Sequence, residues 1–183
     1  MALIAMPRWA QVAEDRRVLE TIIFRHYAAD ARIERVLFVG CESYTAHYER
    51  SHFRRHEYWT LDPDPQHRRF AGSRHVVARL EQLNQHFAAG SFDLIICNGV
   101  YGWGLDRLAD CEVALSQCYE CLAQSGHLLV GWNDVARWDP APFAAIESLK
   151  RFSEYEFPPL GTARHLTNTS YRHTFNFYRK TAS

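Results

Sequence analysis

The segment Asn98-Gly-Val-Tyr-Gly-Trp-Gly-Leu105 sets Gly99, Gly102 and Gly104 around Tyr101 and Trp103. Glycines let a backbone approach a ligand closely, and an aromatic face attracts a cation, so this loop is expected to line a site. Asp62 closes the run Glu57-Tyr-Trp-Thr-Leu-Asp62 and is followed by Pro63. A carboxylate at a strand end can accept hydrogen bonds from the two hydroxyls of a ribose; it can equally cap the next turn. Gly40 ends Arg35-Val-Leu-Phe-Val-Gly40 and either makes a tight turn or brings backbone against a ligand, with the N–H groups of a following helix favouring a carboxylate. Trp132-Asn133-Asp134 adds a ring and two polar groups after another apolar run, and Asp134 could also cap a turn. If a proton must be removed, the candidate bases are His47 and Asp134, assisted by Tyr44.

Other side chains suggest less. Cys118-x-x-Cys121 lies on the apolar stripe of a helical segment with no second ligand pair near it, which fits buried thiols. The remaining histidines lack metal-ligand spacing such as H-E-x-x-H, so no metal site is expected. Arg54-Arg-His56 and His67-Arg-Arg69 flank the second strand and read as solvated surface, with contact to an anionic substrate as the alternative.

Five strand-like runs position these residues: 35–40, 57–62, 74–78, 92–97 and 127–132, the fourth and fifth being continuous apolar runs of the kind covered on both faces of a parallel sheet. Helical periodicity separates them. Val12, Leu19, Ile22, Ile23 and Tyr27 mark an N-terminal helix from Pro7 to Ala29. Leu108, Cys111, Leu115, Cys118 and Leu122 make one stripe over 107–123. Asp139-Pro140 looks like the cap and first residue of a helix to about Phe152, with Phe143, Ile146 and Leu149 inward. Glu154–Leu160 and His173–Arg179 alternate with period two, an antiparallel pair at the sheet edge. The expectation is an α/β doubly wound, mostly parallel seven-stranded sheet with helices on both faces, an antiparallel C-terminal strand, and the N-terminal helix of residues 1–32 covering the site. In such sheets ligands bind at the carboxyl ends of the strands, which selects 40–48, 62–65, 79–83, 98–105 and 132–134.

The order of elements, together with Val36-Leu-Phe-Val-Gly40-Cys41, Asp62, Gly90-Ser-Phe-Asp-Leu-Ile-Ile-Cys-Asn98 and Cys121-Leu-Ala-Gln-Ser-Gly-His-Leu-Leu-Val-Gly131, resembles the class I S-adenosylmethionine (SAM)-dependent methyltransferases. The resemblance spans roughly 35–134, with 173–179 fitting the last strand. It implies SAM as cofactor and S-adenosylhomocysteine (SAH) as product, bound by Gly40, Cys41, Glu42, Asp62, Pro63, Leu80, Asn98, Gly99 and Val100. The acceptor would meet Tyr101, Trp103, Trp132 and Asn133. Asp93 matches a position before the fourth strand that is structural. In the first loop the usual acid two positions before the glycine is Phe38, and later glycines are replaced by Glu42 and Tyr44; Glu42 could hold the cofactor's ammonium group instead. That altered loop also raises an alternative, a catalytically silent binding or partner subunit on the same fold. The absence of G-x-G-x-x-G argues against an NAD oxidoreductase.

Composition is consistent with this reading. The 183 residues suit one domain, are 47% hydrophobic and 23% charged, and balance 21 Lys plus Arg against 21 Asp plus Glu. Zero net charge disfavours nucleic acid, which calls for a basic excess, and fits a small-molecule acceptor. The opening Met-Ala-Leu-Ile-Ala-Met is too short for a signal core or a membrane span, and five cysteines suit reduced thiols, so a cytoplasmic monomer or homodimer without membrane contact is expected. Aromatic residues reach 14%, partly gathered at Tyr44, Tyr101, Trp103 and Trp132; ten histidines have no evident purpose.

Overall fold

The computed structural model of the protein describes residues 14–136 and 143–181. Pro7, Val12 and the expected Asp139-Pro140 helix start lie outside these residues. Strands β1 (Arg35–Val39), β2 (Glu57–Asp62), β3 (Arg74–Val77), β4 (Phe92–Asn98) and β5 (Leu122–Asn133) form on the five expected runs and pair in parallel. β6 (Ser153–Glu154) and β7 (Arg164–Leu166) are short, and β8 (His173–Arg179) lies antiparallel to β5. The sheet order is β3-β2-β1-β4-β5-β8-β6, with β7 also on β8. The chain thus reverses direction of winding between β1 and β4, and a crevice opens at that switch point.

Alternation along the strands divides the interior into two layers. Val36, Phe38, Leu94, Ile96, Leu129, Phe175 and Phe177 pack against helix α1 (residues 14–29) and the single-turn helix α2 (Tyr48–Ser51). Leu37, Val39, Ile95, Cys97, Leu128 and Val130 pack against helix α3 (Leu108–Cys121). Phe24 of α1 sets its ring edge-on to Tyr48 and Phe53 at 5.0 and 5.1 Å, which seats α1 on the sheet. Within α1, Leu19–Ile23 forms a π-helical turn. Asp93 is structural, as expected: its Oδ2 accepts from the backbone N–H groups of Glu34 and Arg35, both at 2.9 Å, tying the start of β1 to β4. All five cysteines are free and buried.

Four expectations change. Leu108 is exposed, because the first side chain of a helix leans beyond the helix's own start, and Leu122 already belongs to β5. The expected helix ending at Phe152 is, over its described part, two 3₁₀ turns, Phe143–Ala145 and Glu147–Arg151, separated by Ile146 in extended conformation. Glu112 of α3 causes the second start by accepting from the N–H groups of Glu147 and Ser148 at 2.7 and 2.8 Å. Phe143, Ile146 and Leu149 still point inward. The Glu154–Leu160 strand stops after two residues, where Phe157 turns to pair with Thr162, and β7 takes its place beside β8. The antiparallel pair still stands at the sheet edge, with β6 outermost and β8 between it and β5.

Candidate functional site

A cavity of about 530 Å³ opens over the carboxyl ends of β1, β2 and β4, within the range that holds small ligands. Its floor is Gly40, Asp62 and Asn98; Asp15, Arg16 and Leu19 of α1 form one wall, and Trp103, Gly104 and Leu105 another. Gly40 adopts φ +87°, a left-handed conformation, and hydrogen-bonds its N–H to the Leu61 carbonyl at 2.8 Å, so the chain turns sharply off β1. No long helix follows. Residues 41–47 form turns that lead only to α2, so the expected helix N-terminus for a carboxylate is absent.

Asp62 organises this floor. Its Oδ2 accepts from the backbone N–H of Cys41 at 2.7 Å and faces His67 Nδ1 at 3.2 Å, while Oδ1 accepts from the N–H of Asp64 at 2.8 Å. The turn that follows is capped by Asp64, which accepts from Gln66 N–H, and not by Asp62. A carboxylate offers about four acceptor positions, so Asp62 keeps capacity for a ligand hydroxyl. The Asp62 hydrogen bond raises the pKa of His67 above the ordinary histidine value. Burial pushes the Cys41 thiol up to about 12, which removes it as a nucleophile.

A second constellation lies at the β4–β5–β8 end. His173 Nδ1 is 2.8 Å from Asn133 Oδ1 and its Nε2 is 3.1 Å from Asn98 Oδ1. Strand register places them, because Asn98 pairs with Gly131 and Asn133 with His173. Burial lowers the His173 pKa to about 4, so the ring is neutral at ordinary pH. A neutral imidazole has one N–H to give, so one of the two amides must turn its NH₂ to the other ring nitrogen. The ring is a fixed wall of the cavity with both nitrogens engaged.

Residues 37–130, from within β1 to within β5 and more than half of the chain, match a family model described as a methyltransferase domain. The chain belongs to this methyltransferase family. The sheet order and C-terminal antiparallel strand make it a class I enzyme, with SAM as cofactor. The N-methyltransferase NodS from Bradyrhizobium japonicum WM9 shares the fold with a TM-score of 0.68 at 16% identity, over 92% of this chain and 96% of that one. A TehB-like SAM-dependent methyltransferase from Corynebacterium glutamicum aligns at 0.60 and 19% identity, over 94% and 96%. The 1,6-didemethyltoxoflavin-N1-methyltransferase of Burkholderia thailandensis, with bound 1,6-didemethyltoxoflavin and SAH, aligns at 0.57 and 13%, over 100% and 93%. No curated protein matches the sequence.

Measured against the methyltransferase cavity, the residues expected at the site separate into two groups. Gly40, Cys41, Glu42, Tyr44, Asp62, Pro63, Leu80, Asn98, Gly99, Val100, Trp103 and Asn133 line it. Tyr101 and Trp132 do not: they are buried in the α3-side core, Tyr101 edge-on to Trp132 at 5.6 Å and Trp132 stacked on Phe143 at 4.6 Å. The indole N–H of Trp132 is taken by Asn176 Oδ1 at 2.9 Å. Asp134 also lies outside, with one oxygen held by Arg164 and Arg172 at 2.8 and 3.3 Å. His47 turns away toward Glu20. Tyr44 lines the cavity, but burial raises its pKa and keeps the phenol protonated, and the Arg16 guanidinium already covers its ring at 4.4 Å. Asp15, Arg16 and Leu19 line the cavity from α1, the N-terminal helix expected to cover the site, and the residues not anticipated are Val39, Leu61, His67, Tyr171, His173 and Phe175. Only His173 carried a sequence signal, a histidine at the start of the last alternating strand.

Proposed function

We propose that this methyltransferase binds SAM over the ends of β1, β2 and β4 and methylates a small-molecule acceptor that enters between α1 and Trp103. The charge of the cavity carries this reading: among the described residues, Asp15, Glu42, Asp62, Asp64 and Glu81 face it against Arg16 and Arg79 as the permanent cations. An acidic wall favours a cofactor bearing sulfonium and ammonium charges and disfavours the phosphate backbone of a nucleic acid. The B. thailandensis relative crystallised with 1,6-didemethyltoxoflavin supports an acceptor of that scale.

Bound there, SAM supplies an electrophilic methyl group. Asp62 would receive a ribose hydroxyl at its remaining acceptor position, Leu80 and Val100 would meet the adenine faces, and Glu42 would take the ammonium. Gly99, at φ +72° with no atom within 4 Å of a would-be Cβ, leaves open space beside them. His173, Asn98 and Asn133 hold the acceptor side rigid. With both ring nitrogens of His173 engaged and Tyr44 kept protonated, proximity and exclusion of water are the protein's main contribution to rate.

Calorimetry with SAH and thermal shift with SAM, SAH and NAD test the cofactor. Incubation with SAM labelled in its methyl group, followed by fractionation of a cell extract, tests the acceptor. Binding of SAH and label in the small-molecule fraction are expected. No response at millimolar SAM or SAH would instead indicate a silent subunit, and label confined to RNA or protein would overturn the acceptor class.

A further inference from the structure

Away from the cavity, the π-helical turn of α1 faces the two histidines that flank α2. Glu20 lies in that turn, and His47 and His52 stand immediately before and after Tyr48–Ser51. The Nε2 atoms of both rings converge on one oxygen, Glu20 Oε2, at 3.5 Å for His47 and 3.9 Å for His52. One donor atom from each of the three residues falls within 4.8 Å of the others.

These separations are too long for charge-assisted hydrogen bonds, which close to about 2.7–2.9 Å. The two Glu20 contacts are near what a shared ion imposes. Zinc bonds of about 2.0–2.1 Å to nitrogen and oxygen, directed tetrahedrally, set their donor atoms about 3.4 Å apart. The other carboxylate oxygen, Glu20 Oε1, is buried and has no hydrogen-bond partner, a cost that an ion bound to the carboxylate offsets. All three side chains are only partly buried, and a surface depression lined by Glu20, Arg25, Ser51 and His52 reaches two of them. The π turn is itself suggestive, because such single-turn bulges recur at functional sites.

We propose that Glu20, His47 and His52 form a Zn²⁺ site joining α1 to the loop after β1, with water as the fourth ligand. Two imidazoles and one carboxylate are a donor set zinc accepts with an open position. The ion links two walls of the cofactor cavity, since Asp15, Arg16 and Leu19 precede Glu20 on α1 and Thr45 and Tyr48 belong to the segment carrying the histidines. The site is independent of whether SAM binds, and its test is made without SAM.

The experiment is titration of the full, tag-free, metal-stripped chain with Zn²⁺ against a chromophoric chelator, repeated on Glu20→Gln and His47→Gln. His47 is half-exposed, so its replacement leaves the packing intact; circular dichroism checks both variants. One equivalent is expected to bind the wild type. Each variant should lose more than the roughly 10–100-fold in affinity that even an outer-sphere change costs. Cobalt(II) should give an intense tetrahedral visible spectrum in the wild type and lose it in His47→Gln. Absence of stoichiometric binding to the wild type, or binding unchanged in both folded variants, overturns the site.

Discussion

Asn98 crosses directly over Gly131: a Cβ at Gly131 would overlap the Asn98 Oδ1 and stand 3.0 Å from His173 Nε2. Gly131 is therefore the residue that lets β4 and β8 exchange polar side chains across β5. Gly131→Ala is expected to displace Asn98, to destabilise the fold by about 1–3 kcal/mol as overpacking does, and to lower methyl transfer. Chemical denaturation and a turnover assay check the two effects.

Asp62→Ala leaves the N–H groups of Cys41 and Asp64 without their acceptor. A loss on the order of 3 kcal/mol in stability is expected. If the same carboxylate holds the ribose, SAH affinity falls by roughly 10–100-fold, the equivalent of one lost charged hydrogen bond. Calorimetry well below the melting temperature separates the affinity loss from unfolding.

Two tryptophans expected at the site should part company. Trp103 is 57% exposed at the cavity mouth, and Trp103→Ala should leave stability nearly unchanged while raising KM. Trp132 is 4% exposed in the core, and Trp132→Ala should cost about 3–5 kcal/mol. Melting curves beside steady-state kinetics distinguish them.

Asp134→Asn tests the base role. The carboxylate pairs with two half-exposed arginines, so less than about 1 kcal/mol of stability should be lost. The pH–rate profile should be unchanged; collapse of turnover in a folded protein would restore Asp134 to catalysis.

Acid sensitivity should come from buried neutral histidines. Burial holds both His173 and His127 at about 4, below the value of an unfolded histidine near 6.5. The unfolded chain then binds more protons between these values. Stability is fully present above pH 6.5 and falls as pH drops toward 4, by roughly 3 kcal/mol for the more deeply buried His173. His173→Gln should flatten the pH dependence of the melting temperature in that window.

The parallel strands were legible because each is a short apolar or β-branched run bounded by turn residues, as in Glu57–Asp62, found with its full length. Half of the site followed from the fold rule that strand ends carry ligands, which placed Gly40, Asp62, Asn98 and Trp103. The rule says where a strand ends but not which way a side chain there points. Tyr101 and Trp132 sit at such ends and turn into the core, where Phe143 and Asn176 from distant segments complete their packing.

Local pattern thus determined the α/β class, the strand runs and the acid at the end of β2, since each depends on residues within single elements. Tertiary structure alone decided the rest. Glu20 meets His47 and His52 through the seating of α1, His173 reaches Asn98 through β5–β8 register, and Asp134 is claimed by Arg164 and Arg172. Those partners lie far apart in the chain, and hydrophobic periodicity says which face of an element is buried but not which distant polar group will meet it.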